Sequence, residues 1–474
     1  MEYDVVVGIE IHLELTTNTK MFSGAPYKFK SEANTCTNEI DLGHPGTLPC
    51  VNMEAVKKAI MTCFALNLDI DKLIKFDRKN YYYSDLPKGF QITQQFHPIG
   101  KNGYIEIYVN GGYKKIRINR AHMEEDTAKQ FHLYDETLID FNRAGVPLLE
   151  IVSEPDIASG EEAALYVEKL RQTLDYLGVS DVKMEEGSLR CDVNVSIKPK
   201  GSNEFGTKVE VKNLNSIANV KDAIDFEANR QAELLEKGEK IVQETRRFDE
   251  KTMSTVSMRL KESSVDYKYF PEPNIFPIKI DDAWINSIKE AMPELPDAKS
   301  KRYLNEYKLS EYDTNLLLAN KMMSSFFDEA MKSATNPKNL CNLLTSELVG
   351  LLQKDETPIE KSPVTPVNLA KLSNILDKGE ISSKQAKEVL EEMLSGKDPE
   401  TIINEKGIKQ VSNQDEILKI VKEVLDENPQ SIEDFKNGKD RALGFMVGQV
   451  MKKSKGQANP KMASELLTKE LSER

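Results

Sequence analysis

The feature that most constrains the fold is a period of two that places charged side chains on one face of several short segments. In residues 5–15, Glu10, His12 and Glu14 alternate with Ile9, Ile11, Leu13 and Leu15, so an extended chain sends the two sets to opposite faces. Arg190, Asp192, Asn194 and Ser196 repeat the pattern against Leu189, Cys191, Val193, Val195 and Ile197. Lys208, Glu210 and Lys212 do so against Val209 and Val211. A fourth cluster, His122 to Asp126, follows a hairpin in which Tyr104–Val109 and Lys114–Asn119 flank Asn110-Gly111-Gly112, a sequence suited to a tight turn with positive φ.

Any one of these segments is compatible with a half-exposed edge strand. Together they point further. Carboxylates that face one another on a sheet repel unless a cation neutralises them, so gathering Glu10, Glu125, Asp192 and Glu210 implies a metal. Oxygen ligands with an imidazole suit Mg²⁺, which bridges substrate phosphates, and the chemistry expected is phosphoryl transfer.

The expected fold class is α+β: a largely antiparallel-sheet domain over 1–292, an all-α domain over 293–405 and a small helical tail over 406–474. Helices are expected at about 53–67, at 160–177 with a capping box of Ser159 and Glu162 and a stop at Gly178, and at 216–237 before Gly238. Beyond Pro296 the pattern is one of amphipathic helices, with a Pro-rich connector at 355–366.

A net charge of −13 argues against a general coating of nucleic acid. Locally, Lys439, Arg441, Lys452, Lys453, Lys455 and Lys461 oppose only Asp440, an excess of five positive charges that reads as a solvated helix face or an RNA contact. The five cysteines are scattered without a C-x-x-C spacing, which indicates neither a disulfide framework nor a zinc knuckle. With no apolar run near the ~20 residues of a membrane span and no signal-peptide pattern at the start, the cytoplasm is the expected compartment.

Cations and aromatics mix in residues 76–91: Arg78, Lys79 and Lys88 are candidates for phosphate contact, and Tyr81 to Tyr83 could stack on a base or pack on the sheet. Glu185, Glu186 and Gly187 stand at the mouth of the Asp192 strand, where a loop could hold a ribose or simply turn. There is no G-x-x-x-x-G-K-[ST] loop, no G-x-G-x-x-G fingerprint and no G-x-S-x-G elbow, nor the glycine- and serine-rich segment of an amidase with its lysine. Hydrolysis by a built-in nucleophile is not expected.

Residues 138–155, from Leu138 through Asn142-Arg143-Ala144-Gly145-Val146-Pro147 to Glu154-Pro155, closely resemble the signature of the B subunit of aspartyl/glutamyl-tRNA amidotransferases, the GatB family. The segments 7–12, 183–194, 243–249, 269–273 and 456–460 resemble it too, so the likeness spans essentially the whole chain. It implies a cradle domain related to the glutamine synthetase and guanidino kinase fold, then a helical domain and a YqeY-like tail that contacts tRNA. It also implies a heterotrimer with a glutaminase partner (GatA) and a small bracing partner (GatC). In that scheme ATP phosphorylates the side-chain carboxylate of Glu-tRNA(Gln) or Asp-tRNA(Asn), and ammonia from GatA displaces the phosphate.

Carried onto this sequence, the resemblance makes His12 and Glu125 the leading metal ligands, with Glu10, Glu124, Asp192 and Glu210 as further acidic members; Glu10 and Glu125 are also assigned to catalysis. Lys79 and Arg190 are expected at the phosphates, and Glu186 at the nucleotide. Many members of the family carry four zinc-binding cysteines where this chain has Ser23, Ala25, Asn38 and Asp41; Cys36 and Cys50 do not restore that spacing, so no zinc is expected. Ser84 replaces a usual proline. Two other functions stay open from sequence alone: a non-catalytic tRNA-binding scaffold, and a ligase acting on free glutamate.

Overall fold

The alternation of the first strand, Tyr3–Glu14, is explained by what its faces meet. Val7, Ile9, Ile11 and Leu13 are buried, whereas Glu10, His12 and Glu14 keep partial access to solvent. The computed structural model describes residues 2–260, 266–408, 414–436, 441–454, 458 and 460–473. The chain divides into two compact units, Met1–Leu295 and Pro296–Arg474.

The first unit is built on a nine-stranded sheet. Its order across the sheet is Ser254–Leu260, Glu244–Asp249, Val209–Leu214, Leu189–Pro199, Tyr3–Glu14, Pro147–Ser153, Gly112–Glu125, Gly100–Val109 and Asp69–Ile70. Neighbours run antiparallel except Val209–Leu214 and Glu244–Asp249, which pair in parallel and are joined by the helix Ile217–Glu236. The three acid-bearing segments 3–14, 189–199 and 209–214 do lie side by side. The cluster His122–Glu125, expected to follow the hairpin, is the end of its second strand, Gly112–Glu125, and it is separated from the first strand by Pro147–Ser153.

Helices cover the apolar face. Ala59, Ile60 and Cys63 from Met53–Ala65, Val167, Leu170 and Leu174 from Gly160–Leu177, and Val220, Ala223 and Ile224 from Ile217–Glu236 share one core with Ile9, Ile11, Leu13, Val193, Val195, Val209 and Val211. Each large aliphatic side chain buried there contributes about 1.5–3 kcal/mol. One face of the sheet is thereby closed, and the polar face is left to chemistry.

The local signals act through identifiable bonds. Asn110 and Gly111 both adopt positive φ (51° and 79°), the twist a two-residue hairpin turn requires. The Ser159 hydroxyl caps its helix by accepting from the Glu162 amide at 3.1 Å. The reciprocal half of the expected capping box is absent: the Glu162 carboxylate accepts instead from the Ala158 amide at 2.8 Å and the Lys114 ammonium at 2.6 Å.

Among the described residues the second unit is helical throughout, from Pro296–Asn305 to Pro460–Glu473. Proline at the first turn starts the helices Pro337–Asn342, Pro366–Asp377 and Pro399–Lys406, where its missing N–H costs nothing. Ile417, Val421, Val424, Met446, Val450 and Leu467 form a separate small core. Of the basic run, Lys453 is already paired with Glu427 at 2.6 Å and Glu423 at 3.2 Å, so part of its charge is spent inside the bundle. Lys439, Asp440, Lys455, Gly456, Gln457 and Asn459 lie outside the described residues. No helix among the described residues is long and apolar enough to cross a membrane.

Candidate active site

Strand register assembles the site. His12 stands opposite Glu150 on one side and Arg190 on the other, Glu10 opposite Asp192, Glu150 opposite His122, and Asn194 opposite Glu210. Because side chains alternate, all of these project from the polar face of the sheet. Of these, Glu10, His12, His122, Glu150, Asp192 and Glu210 line a cleft of about 590 Å³ together with Lys79, Thr93, Arg120, Glu124, Lys212, Tyr267 and Tyr269. A second cavity of about 800 Å³ is lined by Glu14, Lys28, Lys129, Arg143, Glu185, Glu186 and Arg190, and shares His12, Asp192 and Lys212 with the first.

The tightest grouping is His12, Glu124 and Glu150, each with a ligand atom within 4.8 Å of the others. His12 Nε2 lies 3.4 Å from Glu150 Oε2 and 3.9 Å from Glu124 Oε1. On the far side His122 Nε2 lies 3.2 Å from the same Glu150 oxygen and 3.6 Å from Glu124 Oε2. Burial opposes charging of either ring, but Glu150 and Glu124 outweigh it, raising His12 and pushing His122 up to about 9. Burial likewise opposes ionisation of Glu150, yet the two imidazoles hold its carboxyl well below the usual range. His122 Nδ1 is buried without a hydrogen-bond partner. Two carboxylates and an imidazole at this spacing, open to a cleft, are a donor set that suits a hard divalent ion.

Glu150 is the member that sequence reasoning missed. Its signal was present: Leu149, Glu150 and Ile151 alternate as Ile9, Glu10 and Ile11 do, within a run otherwise so apolar that the single acid passed as incidental. Glu125 goes elsewhere. Next to Glu124 in a strand, it points to the opposite side, where its Oε1 accepts from the Lys88 ammonium and, at 3.0 Å, from the Ile92 amide. It stands apart from the His12 group, contrary to the expectation that it would lead the ligand set.

At the other end of the cleft Glu10 accepts from Asn194 Nδ2 at 2.9 Å, and Glu210 from Thr245 Oγ1 at 2.8 Å. Lys212 Nζ lies 2.6 Å from Asp192 Oδ2 and 3.2 Å from Glu210 Oε1. The Glu10 carboxyl is raised by burial and then by Glu150, Asp192 and Glu210.

The cations expected at phosphates sort into held and available groups. Arg78 makes a fork of 2.5 and 3.0 Å with Glu272 and stacks 3.9 Å above Phe90, and Lys88 is taken by Glu125. Lys79 rests 4.9 Å from the Tyr267 ring and faces the cleft. Tyr81, Tyr267, Tyr269 and Phe96 form an edge-to-face chain with centroids 5.9, 5.9 and 6.4 Å apart; Tyr82 is fully exposed. Arg190 donates to Asp126 at 2.6 Å and Glu186 accepts from Lys183 at 3.0 Å, both at the second cavity. There burial pushes Glu14 up to about 7.

Ser23, Ala25, Asn38 and Asp41 close on each other around a buried lysine. Asp41 accepts from Ser23 Oγ at 2.6 Å, from Lys20 Nζ at 3.0 Å and from the Asn38 amide at 3.2 Å, and the Ala25 amide donates to Ser23 Oγ at 3.4 Å.

Two family models match the chain: GatB/GatE catalytic domain over residues 5–286 and GatB domain over 325–471. Curated relatives, each named as the B subunit of an aspartyl/glutamyl-tRNA(Asn/Gln) amidotransferase, are similar along their full length. The proteins from Geobacillus thermodenitrificans and Oceanobacillus iheyensis are each 52% identical over 100% of both chains. That from Persephonella marina is 50% identical over 98% of this chain and 99% of its own. Likeness of this extent, over the strands that gather the acidic cleft as well as over the helices, means that the chain belongs to the GatB family.

Proposed function

We propose that this chain is the amidating member of a tRNA-dependent amidotransferase, using ATP and Mg²⁺ to activate the side-chain carboxylate of Glu-tRNA(Gln) or Asp-tRNA(Asn). In support, its relatives carry that name and its polar sheet face offers the donor set the chemistry needs. A carboxylate resists ammonia because its charge repels nucleophiles and oxide is a poor leaving group. Transfer of the γ-phosphoryl group to a carboxylate oxygen gives an acyl phosphate; ammonia then adds to the carbonyl carbon, the C–O bond to phosphate breaks, and inorganic phosphate leaves. Catalysis is then mainly positioning and charge neutralisation.

Bound Mg²⁺ would supply charge neutralisation at the phosphates. His12, Glu124 and Glu150 would hold it, with Glu10, Asp192 and Glu210 as acids toward a second cation. Lys79 would contact phosphate oxygens from the aromatic side. Ammonia would come from the glutaminase partner GatA, braced by the small partner GatC, in the cytoplasm. By the same resemblance the first unit would be a cradle of the glutamine synthetase and guanidino kinase type, and 406–474 a YqeY-like tail that touches tRNA.

The observation that carries this reading is the convergence of His12, Glu124 and Glu150 within 4.8 Å from three strands. In the assembled complex, His12→Ala should stop conversion of misacylated tRNA while the partner still hydrolyses glutamine. Normal conversion by that variant, or amidation of free glutamate without tRNA, would refute the reading.

A further inference from the structure

Lys212 has no place in the reaction as described. It projects from the strand Val209–Leu214 into the cleft, and its ammonium is shared by Asp192 and Glu210 at 2.6 and 3.2 Å. With His12 and Asp192 it lines both cavities, so it stands where they meet. Its side chain is 38% exposed, which leaves the ammonium a path into open space. The other lysines of this region are held differently: Lys88 by a carboxylate on the opposite side of its strand, Lys79 by ring faces.

Charge explains the arrangement. Glu10 faces Asp192 across the strand pair, and Asp192 and Glu210 are drawn onto one nitrogen. Three acids on neighbouring strands need a counter-charge, and a lysine supplies a compact one on a flexible stem with three donors. A cation bound to these oxygens and the Lys212 ammonium cannot share the same space.

We infer, resting on the metal-dependent reading above, that Lys212 is the internal counter-cation of the cleft: it neutralises Asp192 and Glu210, yields their oxygens to a divalent ion, and moves its ammonium onto the nucleotide's phosphates. The residue thus lowers the affinity of the site for free metal and raises it for nucleotide. Premature metal binding is disfavoured.

The test is titration of the full-length chain, in complex with its partner proteins, with Mn²⁺ alone, read by electron paramagnetic resonance. Lys212→Met and Lys212→Gln should bind Mn²⁺ roughly tenfold more tightly than the parent, the scale on which residues behind metal ligands act. Lys212→Arg should restore the parent's weak binding. With ATP present, the KM for ATP of the Met and Gln variants should rise by about the same factor, and Arg should rescue it. Unchanged Mn²⁺ affinity in both neutral variants overturns the role of Lys212 alone. A parent complex with no saturable Mn²⁺ binding overturns the metal reading and this inference together.

Discussion

In the segment after the first strand the Lys20 ammonium is fully buried, yet every contact around it is made by the protein itself: Asp41 meets it, the Ser23 hydroxyl and the Asn38 amide complete the carboxylate, and the Phe141 carbonyl lies 3.4 Å from the ammonium. On the polar face of the sheet, Glu124 and Glu150 are also buried or nearly so, but they meet two imidazoles, one of which has a nitrogen with no partner, and they open onto a cleft. Both clusters place charge in a low dielectric. The difference is closure. A group whose hydrogen bonds are all satisfied internally holds a fold together, whereas one left incomplete and reachable is prepared for something else to complete it.

The largest expected effect breaks the closed cluster. Lys20→Met strands the Asp41 carboxylate and should cost about 3–5 kcal/mol in denaturant unfolding, while Lys20→Met with Asp41→Leu should recover most of it. A small loss in the single variant would show that water reaches the cluster and that it is not closed.

The open cluster should respond in activity rather than stability. Glu150→Gln should slow amidation about 10²–10³-fold, the scale of losing one preorganised electrostatic partner, with unfolding little changed. Glu125→Gln should leave Mn²⁺ affinity within about twofold, against a loss of roughly 10–100-fold for Glu150→Gln. Equal losses of metal would place Glu125 in the ligand set after all.

The smallest effect is a slope. Burial lowers the Lys20 pKa from its ordinary 10.5, with Asp41 opposing the shift. Between the lowered folded value and 10.5 the unfolded chain binds more protons, so Lys20 makes stability rise with pH in that window. Comparing unfolding midpoints of the parent and Lys20→Met across the alkaline range should show that component vanish in the variant.

Much of this architecture was legible. The period of two gave the strands and their inward faces, because Ile9, Ile11 and Leu13 can be buried only if Glu10 and His12 are not. Register was not legible: nothing local in Pro147–Ser153 says that it separates the first strand from Gly112–Glu125, and that insertion is what brings Glu150 between His12 and His122. Which of Glu124 and Glu125 faces the cleft was not legible for the same reason, since adjacent residues in a strand face opposite ways and only the pairing with Leu148 and Pro147 decides it. The partners of Arg78 and Lys88 were not legible either, because Glu272 and Glu125 lie far from them in sequence.

Lys79 shows what the aromatic chain along the cleft is good for. A cation resting on ring faces is retained by about 0.5–2 kcal/mol. Such a side chain is placed by the rings of Tyr267 and Tyr81 and not by a carboxylate, so contact with an anion would require no ion pair to be broken.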